Sequence, residues 1–299
     1  MKIPEIPDLL APGRTKVMGI INVTPDSFSD GGQWFNPEKA IAHALELEAA
    51  GADILDIGGE SARPGAESLS PASLSPAQEQ RRVLPVIRGY LNKSRSPLPI
   101  SLDTVNAETA EAGIAAGVQI INDISGGTLD SQMLRVVAEN DAYYICQHMR
   151  GNPKTMDSLC DYGGDVTGGV CAGLKERVQA CEKAGVNLQR LILDPGLGFA
   201  KSAEQSWELL GNLEQLAKLG YPLLIGASRK RFLEMAVPTG WNNALPAGIK
   251  AGARRREDAT TAVSALCAEN GVWAVRVHNV AASASAVAVG QLWREAACR

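Results

Sequence analysis

The chain has 299 residues, 45% of them hydrophobic, enough to bury one sizeable core, and no Pro/Ser-rich linker divides it. Its formal net charge of −4 leaves no electrostatic footprint for nucleic acid or for an anionic membrane surface. No stretch approaches the ~18 apolar residues of a transmembrane helix, no signal-peptide core opens the chain, and the six cysteines contain no C-x-x-C pair, so a cytoplasmic protein with reduced thiols and no zinc site is expected.

Residues 1–16 hold four Pro and Gly residues and read as an extension ahead of one folded unit, residues 17–299. Val17 to Ile21 is an apolar run without polar alternation, as expected of a strand buried on both faces, and it stops at Asn22. Thr, Pro, Asp, Ser and Gly then build a loop to about Asn36, whereas an ordinary βα connection needs only about two to six residues, so its length favours function. A helix is predicted over Pro37 to Ala50, with Asn36 as N-cap, Pro37 at the first position and Gly51 as its stop. The unit recurs: apolar runs fall at 53–57, 98–102, 119–121, 143–146, 191–193, 222–225 and 273–277, the last broken by Arg276. Helix-like segments lie between and after them near 81–93, 106–116, 130–140, 165–184, 205–219, 229–236, 257–270 and 281–296. Eight strands alternating with helices predict an α/β fold, a (β/α)₈ TIM barrel, for which about 250 residues is typical. The extension is then expected to cross the barrel bottom. Residues 151–164 and 238–256 are long connections, and Arg254, Arg255 and Arg256 read as a solvated charge run beside a helix start, with contact to an anionic ligand as the alternative.

In such a barrel the βα loops share one face, and catalytic groups come from the ends of several strands. Polar residues follow nearly every predicted strand: Asn22, then Glu60 and Arg63, Asp103, Asn122 and Asp123, His148, Asp194, Ser228 with Arg229 and Lys230, and finally Arg276 and His278. Helix caps account for some of these but not for the set. Asp103, Asn122 and Asp194 have no basic neighbour in sequence, so they offer acceptors and one amide to a flat heterocycle bearing ring N–H and amino groups. Arg63, Lys230, Arg276 and His278 form a cationic group. Strands seven and eight are where barrels often bind phosphate, and the Arg fork matches phosphate oxygens. Ser228 is placed at a helix start, which would add N–H donors and a positive dipole end. Asn22 is an uncharged oxygen ligand of the kind Mg²⁺ accepts when substrate phosphates complete its shell. The inferred substrate is a polar heterocycle carrying a phosphate or diphosphate.

The motifs NVTPDSFSDGG, DIGGES-x-RPGA, SLDT, NDISGG, HM-x-GNPKTM, DPGLGFAK, GASRKRF and RVH, in this order from Val17 to about Val280, resemble dihydropteroate synthase. The resemblance implies a barrel that joins 6-hydroxymethyl-7,8-dihydropterin diphosphate to 4-aminobenzoate with loss of pyrophosphate, giving 7,8-dihydropteroate in folate synthesis. It further implies Mg²⁺ as cofactor, a homodimer, and sulfonamides as mimics of 4-aminobenzoate. Carried over by position, Asp103, Asn122, Ile124, Met149, Asp194, Gly226 and Lys230 correspond to pterin contacts. Asn22, Arg63, Arg276 and His278 correspond to diphosphate contacts, with Asn22 also at the metal. Phe28, Ala62, Arg63, Pro64, Phe199, Lys230 and Arg231 correspond to the 4-aminobenzoate pocket. Two positions depart from the family's usual pattern: Ala62 stands where a hydroxyl residue precedes the Arg, and Arg231 where Ser often follows the Lys.

The implied mechanism is substitution at the exocyclic methylene, with a stabilised diphosphate leaving and a neutral aniline attacking, so no covalent nucleophile or dedicated base is needed. Three other readings remain open on sequence: a pterin-binding methyltransferase barrel, which has no use for the first-loop motif or Arg63; a silent pterin-binding paralogue; and an aldolase using Lys230 as Schiff-base residue.

Overall fold

The computed structural model describes residues 9–23, 36–59, 74–152, 155–237 and 251–297, except the side chains of 157 and 251–255. Eight strands, β1 (Lys16–Asn22), β2 (Ile54–Gly58), β3 (Ile100–Asp103), β4 (Ile120–Asp123), β5 (Tyr143–Gln147), β6 (Leu191–Asp194), β7 (Leu224–Ile225) and β8 (Ala274–Val277), form one parallel sheet. Their order is β6-β5-β4-β3-β2-β1-β8-β7, and a parallel bridge from Leu193 to Leu223 joins the two edges. The sheet therefore closes into the expected (β/α)₈ barrel. β7 is two residues long rather than the predicted 222–225, because Pro222 has no N–H to donate and Leu223 forms an isolated bridge to Leu193.

The helices are α1 (Pro37–Ala49), α2 (Pro76–Lys93), α3 (Ala107–Ala115), α4 (Met133–Glu139), α5 (Val166–Lys183), α6 (Ala203–Gly211), α7 (Leu213–Ala217), α8 (Ala251–Glu269) and α9 (Val280–Ala297). As predicted, the Asn36 side chain caps α1 and Gly51 follows its end at φ 93°. α2 starts at Pro76, well before 81, because Ser75 and Gln78 form a reciprocal capping box. The predicted helix over 205–219 is split at Asn212, whose side-chain amide donates to the Glu208 carbonyl instead of leaving the backbone ladder unbroken. Residues Arg231–Ala236 form a 3₁₀ helix. α8 begins at Ala251, so Arg254 to Arg256 lie inside it rather than beside its start. No helix among the described residues is long and apolar enough to cross a membrane, and the five described cysteines are all free thiols.

Successive side chains in a strand point to opposite faces, which sorts each strand into an outward and an inward row. Outward residues such as Val17, Ile21, Leu55, Ile57, Leu102 and Ile121 are fully or almost fully buried against the helices, at about 1.5–3 kcal/mol each. The inward rows change character along the strands. At their N-terminal ends Met18, Ile54, Ile120, Tyr143, Ile145, Ile192, Leu224 and Ala274 form a separate apolar cluster with Leu9 and Trp273, and the Trp273 indole donates to the Leu9 carbonyl at 3.1 Å. Two or four residues further along, the same inward face carries Asn22, Asp56, Asp103, Asn122, Gln147, Asp194 and Arg276. Apolar packing thus closes one end of the barrel and polar groups gather at the other.

Candidate active site

The polar end opens into a cavity of about 870 Å³ lined by Asn22, Asp103, Asn122, Ile124, Asp194, Phe199, Gly226, Lys230, Arg231, Arg276 and His278, all singled out from sequence. Asp194 and Lys230 face each other across Gly226, where a Cβ would lie 3.7 Å from Asp194 Oδ2 and 3.8 Å from Lys230 Nζ. The Lys230 ammonium donates to the Leu197 carbonyl at 2.6 Å and stands 4.9 Å from the Phe199 ring centroid. Burial pushes Lys230 down to about 8, with the Asp194 carboxylate opposing. Burial raises Asp194 in turn, against the pull of Lys230 and the Gly196 N–H that donates to its Oδ1 at 2.7 Å.

The sequence predicts Arg276 as an anion anchor and Asp103 as a carboxylate without a basic neighbour in sequence. Barrel closure brings the two together: Arg276 Nη2 donates to Asp103 at 2.6 Å and Nε to the fully buried Asp56 at 2.5 Å. Asp56 also accepts from the Asn122 amide at 3.2 and 3.4 Å. Burial lifts Asp103 to about 7, opposed by Arg276 and reinforced by Asp56. Breaking such a buried cluster by removing its cation would strand two carboxylates, at about 3–5 kcal/mol.

His278 is held by Ser228, with Oγ and Nδ1 at 2.8 Å and the His278 N–H donating back to Oγ at 3.2 Å. Ser228 does not stand at an α-helix N-terminus as predicted. The chain turns through Arg229 at φ 58°, the Arg229 N–H goes to Thr260, and the 3₁₀ segment that follows has six residues, too short to present a helix dipole. Arg229 pairs with Glu257, and Arg256 with Glu234 at 3.2 Å. Arg256 also lines the cavity, so for this residue the solvated-charge reading is replaced by a place at the site mouth.

Met149 does not line the cavity; it packs on Ile124, Met156, Phe199 and Ala200 behind it. His148 and Asp123 also turn away. His148 is buried against Gly173 of α5, and burial together with the Lys201 and Arg150 charges pushes it down to about 2, so it is neutral. Asp123 accepts from the N–H groups of Ser125 and Gly127 and from the Tyr144 hydroxyl, shaping the loop after β4. Phe28, Glu60, Ala62, Arg63 and Pro64 lie outside the described residues.

The loop after β6 holds a lysine that sequence reasoning passed over. Lys201 Nζ donates to the Phe199 carbonyl at 2.8 Å and meets His148 Nδ1 at 3.0 Å, and burial pushes it down to about 7. The loop turns through Gly196 at φ 68°, Gly198 at φ 74° and Ala200 at φ 51°. At Gly196 a Cβ would stand 2.2 Å from the His148 carbonyl oxygen, so only glycine fits.

Residues 18–278 match the family described as pterin binding enzyme. A dihydropteroate synthase of Synechocystis sp. is 41% identical over 282 residues, covering 94% of this chain and 91% of the relative. The chain belongs to the dihydropteroate synthase family. It is accordingly an enzyme, a transferase. Among solved structures of the family, Xanthomonas albilineans dihydropteroate synthase with 4-aminobenzoic acid superposes with a TM-score of 0.81 at 39% identity, over 94% of this chain and 93% of that one. The Anaplasma phagocytophilum enzyme with bound 6-hydroxymethylpterin-monophosphate does so with a TM-score of 0.79 at 30% identity, over 94% and 100%.

For this family member, Asp56, Gln147 and Lys201 are groups at or beside the cavity that sequence reasoning missed. Asp56 had a signal: it is the one charge inside the apolar strand ILDIG, two positions from Ile54 and therefore on the same inward face. Lys201 had a weaker one, as a cation closing a Gly-rich loop.

Proposed function

We propose that this chain condenses 6-hydroxymethyl-7,8-dihydropterin diphosphate with 4-aminobenzoate, releasing pyrophosphate and 7,8-dihydropteroate, as a step of folate synthesis in the cytoplasm. What carries the reading is one cavity that brings together the acceptors Asp103, Asn122 and Asp194, suited to a flat, donor-rich ring, with Lys230, Arg276 and His278 beside them to meet an anionic group. The Anaplasma relative with a bound pterin monophosphate and the Xanthomonas relative with 4-aminobenzoic acid support both halves of the substrate pair.

In this mechanism Arg276, His278 and Arg63 anchor the diphosphate. The methylene C–O bond breaks with its electron pair departing on pyrophosphate, and the carboxylates of Asp103 and Asp194 favour the positive charge then shared by the pterin. The amine lone pair forms the new C–N bond, and its proton leaves to water. Phe28, Phe199, Pro64, Arg63, Lys230 and Arg231 hold the aminobenzoate in line. Mg²⁺ is the proposed cofactor, neutralising charge on the diphosphate when bound. Asn22, which lines the cavity, would hold the ion together with substrate oxygens and water, an uncharged oxygen ligand of the kind Mg²⁺ accepts.

The proposed homodimer rests on Leu266 of α8 and Val289, Leu292 and Trp293 of α9, large apolar side chains that are 59%, 59%, 66% and 71% exposed on adjacent helices. Sulfonamides are proposed to compete for the aminobenzoate pocket. The test is pyrophosphate release from purified protein, omitting each substrate and Mg²⁺ in turn. Release that needs the pterin diphosphate and is driven by the amine is expected. No release with all components present would refute the reading. Slow release without amine would support the dissociative route, and none would favour direct displacement.

A further inference from the structure

Asn122 and Arg276 stand on opposite sides of Asp56, and both spend hydrogen-bond donors on it. The Asn122 Nδ2 lies 3.4 Å from Asp56 Oδ1 and 3.2 Å from Oδ2, while Arg276 Nε reaches Oδ2 at 2.5 Å. An amide has one donor end and one acceptor end. Turned the other way, Asn122 would set its carbonyl oxygen against the two carboxylate oxygens of the fully buried Asp56, a repulsion that disfavours that orientation. The donor end is therefore committed to Asp56, and Oδ1 is the end offered to whatever occupies the cavity.

We propose that Asp56 is a positioning residue that sets the polarity of the site, fixing the Asn122 amide with Nδ2 on Asp56 and Oδ1 free to accept from a ligand, and tying down the Arg276 guanidinium beside it. The inference rests on the pterin reading above and deepens it. With Asp56 in place, Asp103, Asn122 Oδ1 and Asp194 all present acceptors to the cavity, which favours a heterocycle edge rich in ring N–H and amino groups. Asp56 touches no substrate itself; it does not line the cavity.

The test is Asp56→Asn, which keeps the shape, removes the charge and lets the facing amide turn over. Binding of 6-hydroxymethylpterin should weaken by roughly tenfold or more, the scale of one mispaired buried polar group. Pyrophosphate should bind as well as to wild type or more tightly, because Arg276 loses one of its two carboxylate partners. A residue with only a structural role would weaken both ligands together, in step with a fall in Tm, and that result would overturn the proposal. A second measurement needs no variant. In the wild-type protein the Asn122 side-chain NH₂ should be protected from hydrogen exchange without ligand, and should stay protected when 6-hydroxymethylpterin binds. Exchange at the rate of a free amide in the unliganded protein would refute the assigned orientation. If wild type fails to bind 6-hydroxymethylpterin at all, the function reading fails, while the exchange measurement still decides the orientation.

Discussion

Replacing Lys201 by Met removes an ammonium from the loop that carries Phe199 while keeping a stem of similar length and apolar character. Two hydrogen bonds go, to the Phe199 carbonyl at 2.8 Å and to His148 Nδ1 at 3.0 Å. Each is worth roughly 0.5–1.5 kcal/mol net, and a buried acceptor left without a donor costs about 1–3 kcal/mol. Met also relieves the cost of burying the charge, visible in a lysine pushed down from 10.5 to about 7. The opposing contributions leave a net loss of about 1–3 kcal/mol near neutral pH, or roughly 2–10 °C in Tm. The sign with pH is fixed. Between about 7 and 10.5 the unfolded chain holds this proton and the folded chain does not, so the contribution of Lys201 to stability rises with pH across that window. The gap between wild type and Lys201→Met should therefore widen from pH 7 to pH 10 in urea titrations. In kinetics, freeing the Phe199 carbonyl beside the left-handed Ala200 should let the ring leave its place over Lys230. KM for 4-aminobenzoate should rise by about threefold to tenfold with pterin affinity nearly unchanged. An unchanged KM, or a stability gap that narrows as pH rises, would refute this account of the loop.

Asp194→Asn turns one acceptor into a donor, so pterin diphosphate affinity measured by calorimetry should fall at least about tenfold; equal affinity would remove Asp194 from the pterin site. Arg276→Gln should cost about 3–5 kcal/mol in chemical denaturation by stranding Asp56 and Asp103, and a loss well below that would contradict the charge cluster. Because burial lifts Asp103 to about 7, and the ionised carboxylate is a stronger acceptor than the acid, 6-hydroxymethylpterin should bind more tightly as pH rises from 6 to 8, and a flat profile would count against its role. Gly196→Ala should lower Tm sharply, since the backbone at φ 68° and the His148 carbonyl 2.2 Å from the new Cβ must both give way. Trp293→Glu should shift sedimentation toward a monomer; an unchanged profile would place the subunit contact elsewhere.

The architecture was legible because a parallel barrel writes itself locally. A strand buried on both faces must be a continuous apolar run, and some of the helices between runs carry their own start signal, as Asn36 does before Pro37–Ala49. The strand ends were legible for the same reason: Asn22, Asp103, Asn122 and Asp194 stand where an apolar run stops, and closure brings them to one cavity. Element ends were less so, because the capping box at Ser75 and the break at Asn212 depend on side chains finding backbone partners. What only the tertiary structure decided is which polar group meets which. Asp56 and Arg276 are 220 positions apart and Asp103 and Arg276 173 apart, and they become neighbours solely because β8 closes onto β1 and β1 lies beside β2. Lys201 and His148 meet across 53 positions in the same way. Residue type and spacing tell which strand ends are polar, whereas the charge state of Asp103, the direction of the Asn122 amide and the neutrality of His148 follow from burial and from partners that sequence proximity cannot reveal.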